Sequence, residues 1–134
     1  MLCKNPYYVT WDQPVGCNQC MPCRYNRRRI WTFRILLESM VHSHNSFLTL
    51  TYDEKHLPEG GTLVPRDAQL FIKRLRNNFW DFHTRCRLPV PKLRYYLVGE
   101  YGDNTWRPHY HLALFGASIA HTDIINRSWG LGLS

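Results

Sequence analysis

Residues 107–116 read RPHYHLALFG and place two histidines in a run that is otherwise typical of a buried strand. Because side chains alternate between the two faces of a strand, His109 and His111 point to the same face. Tyr110 and Leu112 point to the opposite face, which the apolar alternation predicts as core. Two imidazoles on one face of a core strand indicate either a pair of structural histidines or part of a metal site.

A carboxylate on the preceding strand is a third possible ligand. The run LRYYLVGE, residues 93–100, predicts a strand, and the YGDNTW that follows predicts a turn. We expect a hairpin in which Glu100 pairs with Arg107 and Val98 with His109. In this register Glu100 lies diagonal to His109 on the same face, within reach of its ring. Two imidazoles and a carboxylate suit Mn²⁺, Mg²⁺ or Zn²⁺ and leave coordination positions open for a phosphoryl oxygen.

The remaining hydrophobic patterns predict helices between strands. They place a helix from Arg24 to about Val41, a strand at 47–52, a helix that begins at Pro65, and a short helix at roughly 119–128. Strands separated by helices, with one tight hairpin, indicate an α+β fold: a central antiparallel sheet with helices packed on it. A cysteine-rich N-terminal segment, residues 1–23, precedes this domain, which we assign to residues 24–134.

Composition favours a globular protein with a polyanionic partner. The chain has 134 residues, of which 17 are Lys or Arg and 10 are Asp or Glu, so its net charge is +7. A basic excess of this kind favours nucleic acid. The sequence lacks both an apolar run of about 18 residues and the apolar core of a signal peptide. We therefore expect an intracellular protein that does not span a membrane.

Four cysteines near the N-terminus have the spacing of metal ligands. Cys17, Cys20 and Cys23 follow the pattern C-x2-C-x2-C, and Cys3 lies upstream. Four thiolates can complete a tetrahedral zinc site. Free thiols and an iron–sulfur cluster stay open as alternatives, although Arg27 stands where a ferredoxin-like run would have its fourth cysteine.

A run of arginines follows the cysteines directly. RYNRRR, residues 24–29, begins the first predicted helix, and it could either be a solvated helix face or contact phosphates. The candidate DNA-binding residues are Arg24, Arg27, Arg28, Arg34 and Arg107.

Several blocks of the chain resemble one family. PHYHLALFG resembles the histidine–hydrophobic–histidine motif of the HUH endonucleases, the rolling-circle replication initiators and relaxases. FLTLTYD is similar to the first strand motif of the replication initiators. The order GCNQCMPCRYNRRRIWTFRILLE, FLTLTYDEKHLP, LFIKRLR and YYLVGEYGDNTWRPHYHLALFG is similar to that in the replication initiation proteins of gokushovirus-like microviruses, which are single-stranded DNA phages. The resemblance covers about residues 16–116.

This resemblance implies a fold, a reaction and a site. The family has an HUH endonuclease, RRM-like sheet and nicks and joins single-stranded origin DNA. A tyrosine hydroxyl attacks the scissile phosphate and becomes linked to the 5′-phosphate, which frees a 3′-hydroxyl. The resemblance assigns Mn²⁺ or Mg²⁺ to His109, His111 and Glu100. It implies work beside the host replication machinery, in the cytoplasm of a bacterial cell.

The nucleophile of the family is missing from its usual place. In the family a tyrosine follows the histidine motif, but residues 112–134 contain none. We expect the catalytic tyrosine beyond Ser134, in a domain truncated before the tyrosine helix. The alternatives are a non-catalytic module that binds single-stranded nucleic acid, an upstream nucleophile at Tyr7, Tyr8 or Tyr25, and a purely zinc-stabilised structural domain.

Overall fold

The computed structural model describes residues 2–134, which divide into two compact units that meet in sequence between Val41 and His42. The α+β fold class is confirmed: the chain has antiparallel sheets, three α-helices and the expected cysteine-rich segment. The division into domains at 1–23 and 24–134 stays a prediction, because compactness of the backbone alone does not define a functional domain.

The N-terminal unit consists of a hairpin followed by a long helix. Its elements are β1 (Tyr7–Thr10), β2 (Gln13–Val15) and α1 (Met21–Met40). The hairpin corrects the expectation of an irregular segment. Helix α1 begins three residues earlier than Arg24, because Pro22 is tolerated in a first helical turn. Among residues 2–41, only Pro22 and Cys23 are buried.

The second unit is a three-stranded antiparallel sheet with two helices on one face. Its elements are β3 (Asn45–Thr51), α2 (Pro65–Arg85), β4 (Arg94–Tyr101), β5 (Pro108–Phe115) and α3 (Thr122–Trp129), with 3-10 turns at Glu59–Gly61 and Ile119–His121. The strand order is β3-β5-β4, so the histidine strand is central. The core between sheet and helices contains Leu50, Tyr52, Ala68, Phe71, Ile72, Leu75, Phe79, Tyr110, Leu112, Leu114, Ile124, Ile125 and Trp129.

The alternation predicted for the strands and the apolar stripe of α2 account for this core. Tyr110 and Leu112 are buried, as predicted, and so is Leu50 on β3. His109 and His111 therefore lie on the face of the sheet that α2 and α3 do not cover.

The hairpin register differs from the predicted one by two residues. Glu100 pairs with His109, and Tyr101 pairs with Pro108. The reason is a longer loop: the Gly102 N–H donates to the Arg107 carbonyl at 3.0 Å, and Trp106 adopts a left-handed conformation with φ 56°. A shift of two residues preserves the faces, so Glu100 stays on the histidine face and comes directly opposite His109.

The C-terminal residues cover the outer edge of β3. The Thr51 N–H donates to the Leu133 carbonyl at 2.9 Å, and the Asp53 N–H donates to the Leu131 carbonyl at 2.9 Å. The indole N–H of Trp129 donates to the Thr51 carbonyl at 2.7 Å. Between residues 2 and 134, no helix combines the length and apolarity that crossing a membrane would require.

Candidate functional site

Three possible metal ligands converge on the face of the sheet opposite α2 and α3. Oε2 of Glu100 lies 3.6 Å from Nε2 of His111 and 4.0 Å from Nε2 of His109. Ligand atoms around one ion with bonds near 2.1 Å are separated by about 3.0–3.4 Å. The Glu100 side chain is 56% exposed, so a small rotation of this carboxylate closes the difference.

Hydrogen bonds on the far side of each imidazole fix how the rings present their nitrogens. Nδ1 of His109 lies 3.2 Å from the Arg107 carbonyl oxygen. Because a carbonyl oxygen only accepts, Nδ1 carries the proton and Nε2 presents its lone pair toward Glu100. Nδ1 of His111 lies 3.0 Å from the Thr49 hydroxyl, which accepts its proton when Nε2 binds a metal. Both rings are thus oriented as metal ligands.

An exposed aromatic residue flanks the ligand group. Phe47 on β3 is 70% exposed, and its ring stacks on the His111 ring with centroids 5.5 Å apart. An exposed ring beside a candidate phosphate site offers a surface on which a base can stack.

Sequence reasoning missed Thr49 and Phe47 as partners of the site. Their signal was the strand alternation, which places both on one face of β3. What the pattern does not contain is the pairing of β3 with β5, which brings Thr49 opposite His111.

The four N-terminal cysteines form a second group of ligands. Their sulfur atoms, from Cys3, Cys17, Cys20 and Cys23, all lie within 4.8 Å of one another. Sγ of Cys20 is 3.8 Å from Sγ of Cys3. Backbone N–H groups donate to two of the sulfurs: that of Cys17 to Cys3 and that of Cys20 to Cys17, each at 3.3 Å.

The surroundings of these thiols separate their proton affinities. The backbone N–H groups of Lys4 and Cys23 lower the pKa of Cys20 to about 6. The Cys20 N–H, followed by that of Gln19, lowers the pKa of Cys17. Burial raises the pKa of Cys23 to about 12. The cluster therefore contains stabilised thiolates next to a thiol that only a strong positive partner would deprotonate.

The candidate DNA-binding arginines lie in two places. Arg24, Arg27, Arg28 and Arg34 are exposed along α1, and the Arg34 guanidinium lies 5.1 Å from the centre of the Trp31 ring. Arg107 lies in the second unit, where its guanidinium donates to Glu54 at 2.6 Å and to the Tyr52 carbonyl at 3.0 Å. Its assignment to DNA stays a prediction.

The tyrosines of the sheet region are engaged in the fold. The Tyr52 hydroxyl donates to Asp67 at 2.9 Å, and burial raises its pKa above the usual value. The Tyr110 hydroxyl accepts from the Val64 N–H at 2.9 Å, on the face away from the histidines. The predicted upstream alternatives, Tyr7, Tyr8 and Tyr25, are exposed in the N-terminal unit.

Comparison with known proteins connects this site to phage replication. The family model for the replication-associated protein ORF2 matches residues 45–134, which contain Glu100 and both histidines. No solved structure gives a significant match.

Three relatives from bacterial viruses match most of the chain. Replication-associated protein VP4 of Bdellovibrio phage phiMH2K is 43% identical over 100 residues, which cover 74% of this chain and 30% of the relative. Replication-associated protein ORF4 of Chlamydia phage 1 is 36% identical and covers 77% of this chain and 24% of the relative. Replication-associated protein ORF2 of Spiroplasma virus 4 is 34% identical over 86% of this chain and 35% of its own length. The chain thus spans about a third of these relatives or less.

Proposed function

Because this chain belongs to the replication-associated protein ORF2 family, we propose that it is the metal- and DNA-binding part of a phage rolling-circle replication initiator. Its reaction is the nicking and joining of single-stranded origin DNA. The observation that carries this proposal is the convergence of Glu100, His109 and His111 on one open sheet face.

The site residues divide the work between binding and orientation. A bound Mn²⁺ or Mg²⁺ ion would polarise the scissile phosphate and offset the charge that develops on it. Glu100 and the two Nε2 atoms are the donors for that ion. Thr49 and the Arg107 carbonyl hold the rings in place, so little reorganisation is needed when the ion and the phosphate enter.

The DNA partner follows from charge and exposed rings. Of the candidate arginines, the four on α1 lie close together, and the chain carries a net charge of +7. These arginines contact phosphates, while Phe47 beside the metal site stacks on a base of the origin strand. We place this work in the cytoplasm of the bacterial host, next to the host replication machinery.

The attacking hydroxyl separates two candidate functions. Residues 111–134 contain no tyrosine, so we propose that the nucleophile lies beyond Ser134. The same observation favours a second function, a non-catalytic module that binds single-stranded nucleic acid. A version extended past Ser134 distinguishes them: with Mn²⁺ and origin DNA, the initiator forms a covalent protein–DNA adduct and the binding module does not.

Titration with Mn²⁺ tests the proposal on the chain itself. Calorimetry should show one saturable site that disappears in the His109→Ala, His111→Ala double variant. Mn²⁺ suits this test because thiolates such as those of the cysteine cluster bind it poorly.

The matched control is His56→Ala. This exposed histidine bonds to Asp53 at 2.8 Å, outside the ligand group, so its removal should leave Mn²⁺ binding unchanged. Equal Mn²⁺ affinity of the double variant and the unmodified chain would reject the site.

A further inference from the structure

We propose that Cys3, Cys17, Cys20 and Cys23 bind one Zn²⁺ ion, and that this ion is the structural centre of the N-terminal unit. The site is independent of the Glu100 group and of the nicking reaction. It joins the start of the chain to the first turn of α1.

The sulfur positions match a tetrahedron around a single ion. Zn–S bonds of about 2.3 Å imply sulfur–sulfur edges of about 3.8 Å. Sγ of Cys20 and Sγ of Cys3 are 3.8 Å apart, and all four sulfurs lie within 4.8 Å of one another. A disulfide needs about 2.05 Å, so 3.8 Å is too long for that pair. An iron–sulfur cluster holds its thiolates further apart than one ion does, because several iron and sulfide atoms lie between them.

The backbone of the knuckle is arranged for thiolates. Asn18 adopts a left-handed conformation with φ 60°, which turns the chain so that the Cys20 N–H reaches the Cys17 sulfur. The Cys17 N–H donates in the same way to Cys3. Such donors stabilise negative charge on sulfur, which zinc binding requires. Gly16 passes beside the site: a Cβ there would lie 2.9 Å from Sγ of Cys23.

The N-terminal unit needs this ion because it has almost no core of its own. Among residues 2–41, the buried residues are Pro22 and Cys23, both in the first turn of α1. The accompanying hairpin is exposed at six of its seven positions. An isolated hairpin is marginal in water, and units of about 40 residues usually depend on a metal, a disulfide or a partner. A tetrathiolate zinc site supplies the missing folding free energy.

Metal analysis of the purified 134-residue chain tests this assignment. We expect about one zinc per chain and no sulfide. The Cys17→Ser, Cys20→Ser double variant should lose this zinc, whereas Cys86→Ser should keep it, because Cys86 is exposed and outside the cluster. With Co²⁺ in place of zinc, the unmodified chain should show a sulfur-to-cobalt charge-transfer band that persists in the His109→Ala, His111→Ala background.

Limited proteolysis keeps the test valid if the cysteine variant is poorly folded. A strong chelator should make residues 2–41 of the unmodified chain susceptible while residues 42–134 stay protected. Metal-free protein in which all five cysteines react with a thiol reagent under native conditions would overturn the proposal. Iron with sulfide in place of zinc would overturn it as well.

Discussion

The Thr49 hydroxyl determines which nitrogen of His111 faces Glu100. A threonine on a strand has no need of a side-chain partner, yet its Oγ1 lies 3.0 Å from Nδ1 of a ring on the neighbouring strand. In metal sites such an outer partner holds the ligand in the binding tautomer and raises its basicity. At the scale of single residues, Thr49 therefore belongs to the candidate metal site although it contributes no ligand atom.

Replacing Thr49 with Val should weaken Mn²⁺ binding by about 10–100-fold, the usual effect of losing such a partner. Valine preserves the shape and the strand preference, so the fold should change little. Calorimetric titration measures the affinity, and Thr49→Ser, which restores a hydroxyl, should recover it. Unchanged binding by the valine variant would show that the ring is oriented without this bond.

The element that seals the open edge of β3 is the last short segment of the chain. Leu131 and Leu133 accept hydrogen bonds from the backbone of Asp53 and Thr51. Gly132 lies between them, so close to β3 that a Cβ would overlap the Thr51 carbonyl oxygen and lie 2.7 Å from the Asp53 nitrogen. An unpaired sheet edge invites aggregation, and this segment removes the hazard.

Gly132→Ala should lower the free energy of unfolding by roughly 1–3 kcal/mol, because the added methyl forces the segment away from β3. Urea denaturation followed by tryptophan fluorescence measures the loss. Leu133→Ala is the matched control: its side chain is 77% exposed and only its backbone bonds to β3, so its stability should stay close to that of the unmodified chain. Similar losses for both variants would mean that side chains hold the segment.

Elements with a long apolar period were predictable, and elements held by backbone contacts were not. Helix α2 was predicted from a stripe whose members, such as Phe71 and Leu75, are all buried. The β1–β2 hairpin was not predicted because exposed strands carry no alternation. The register of β4 and β5 was wrong because nothing in the sequence indicates that Trp106 takes a left-handed conformation. The loop then closes two residues away from the expected position.

For the whole molecule, sequence predicted which residues lie together better than how they contact one another. The histidine pair and Glu100 share a face in either register, and C-x2-C spacing groups three of the four cysteines. The fourth, Cys3, and the partners Thr49 and Phe47 depend on chain reversals that the residue pattern does not encode. The two candidate metal groups lie in different compact units, so each can be removed without direct loss of the other.

That separation makes the basic helix testable apart from the metal site. If α1 contacts the phosphates of single-stranded DNA, each lost contact should reduce the slope of log affinity against log salt by about 0.7. Replacing Arg27 and Arg28 with Gln should therefore lower the slope by about 1.4, measured by fluorescence anisotropy over a range of salt concentrations. The control replaces Arg66 and Lys73 on α2 with Gln and removes the same charge from exposed positions. An equal change for both pairs would mean that overall charge, and not contact by α1, governs binding.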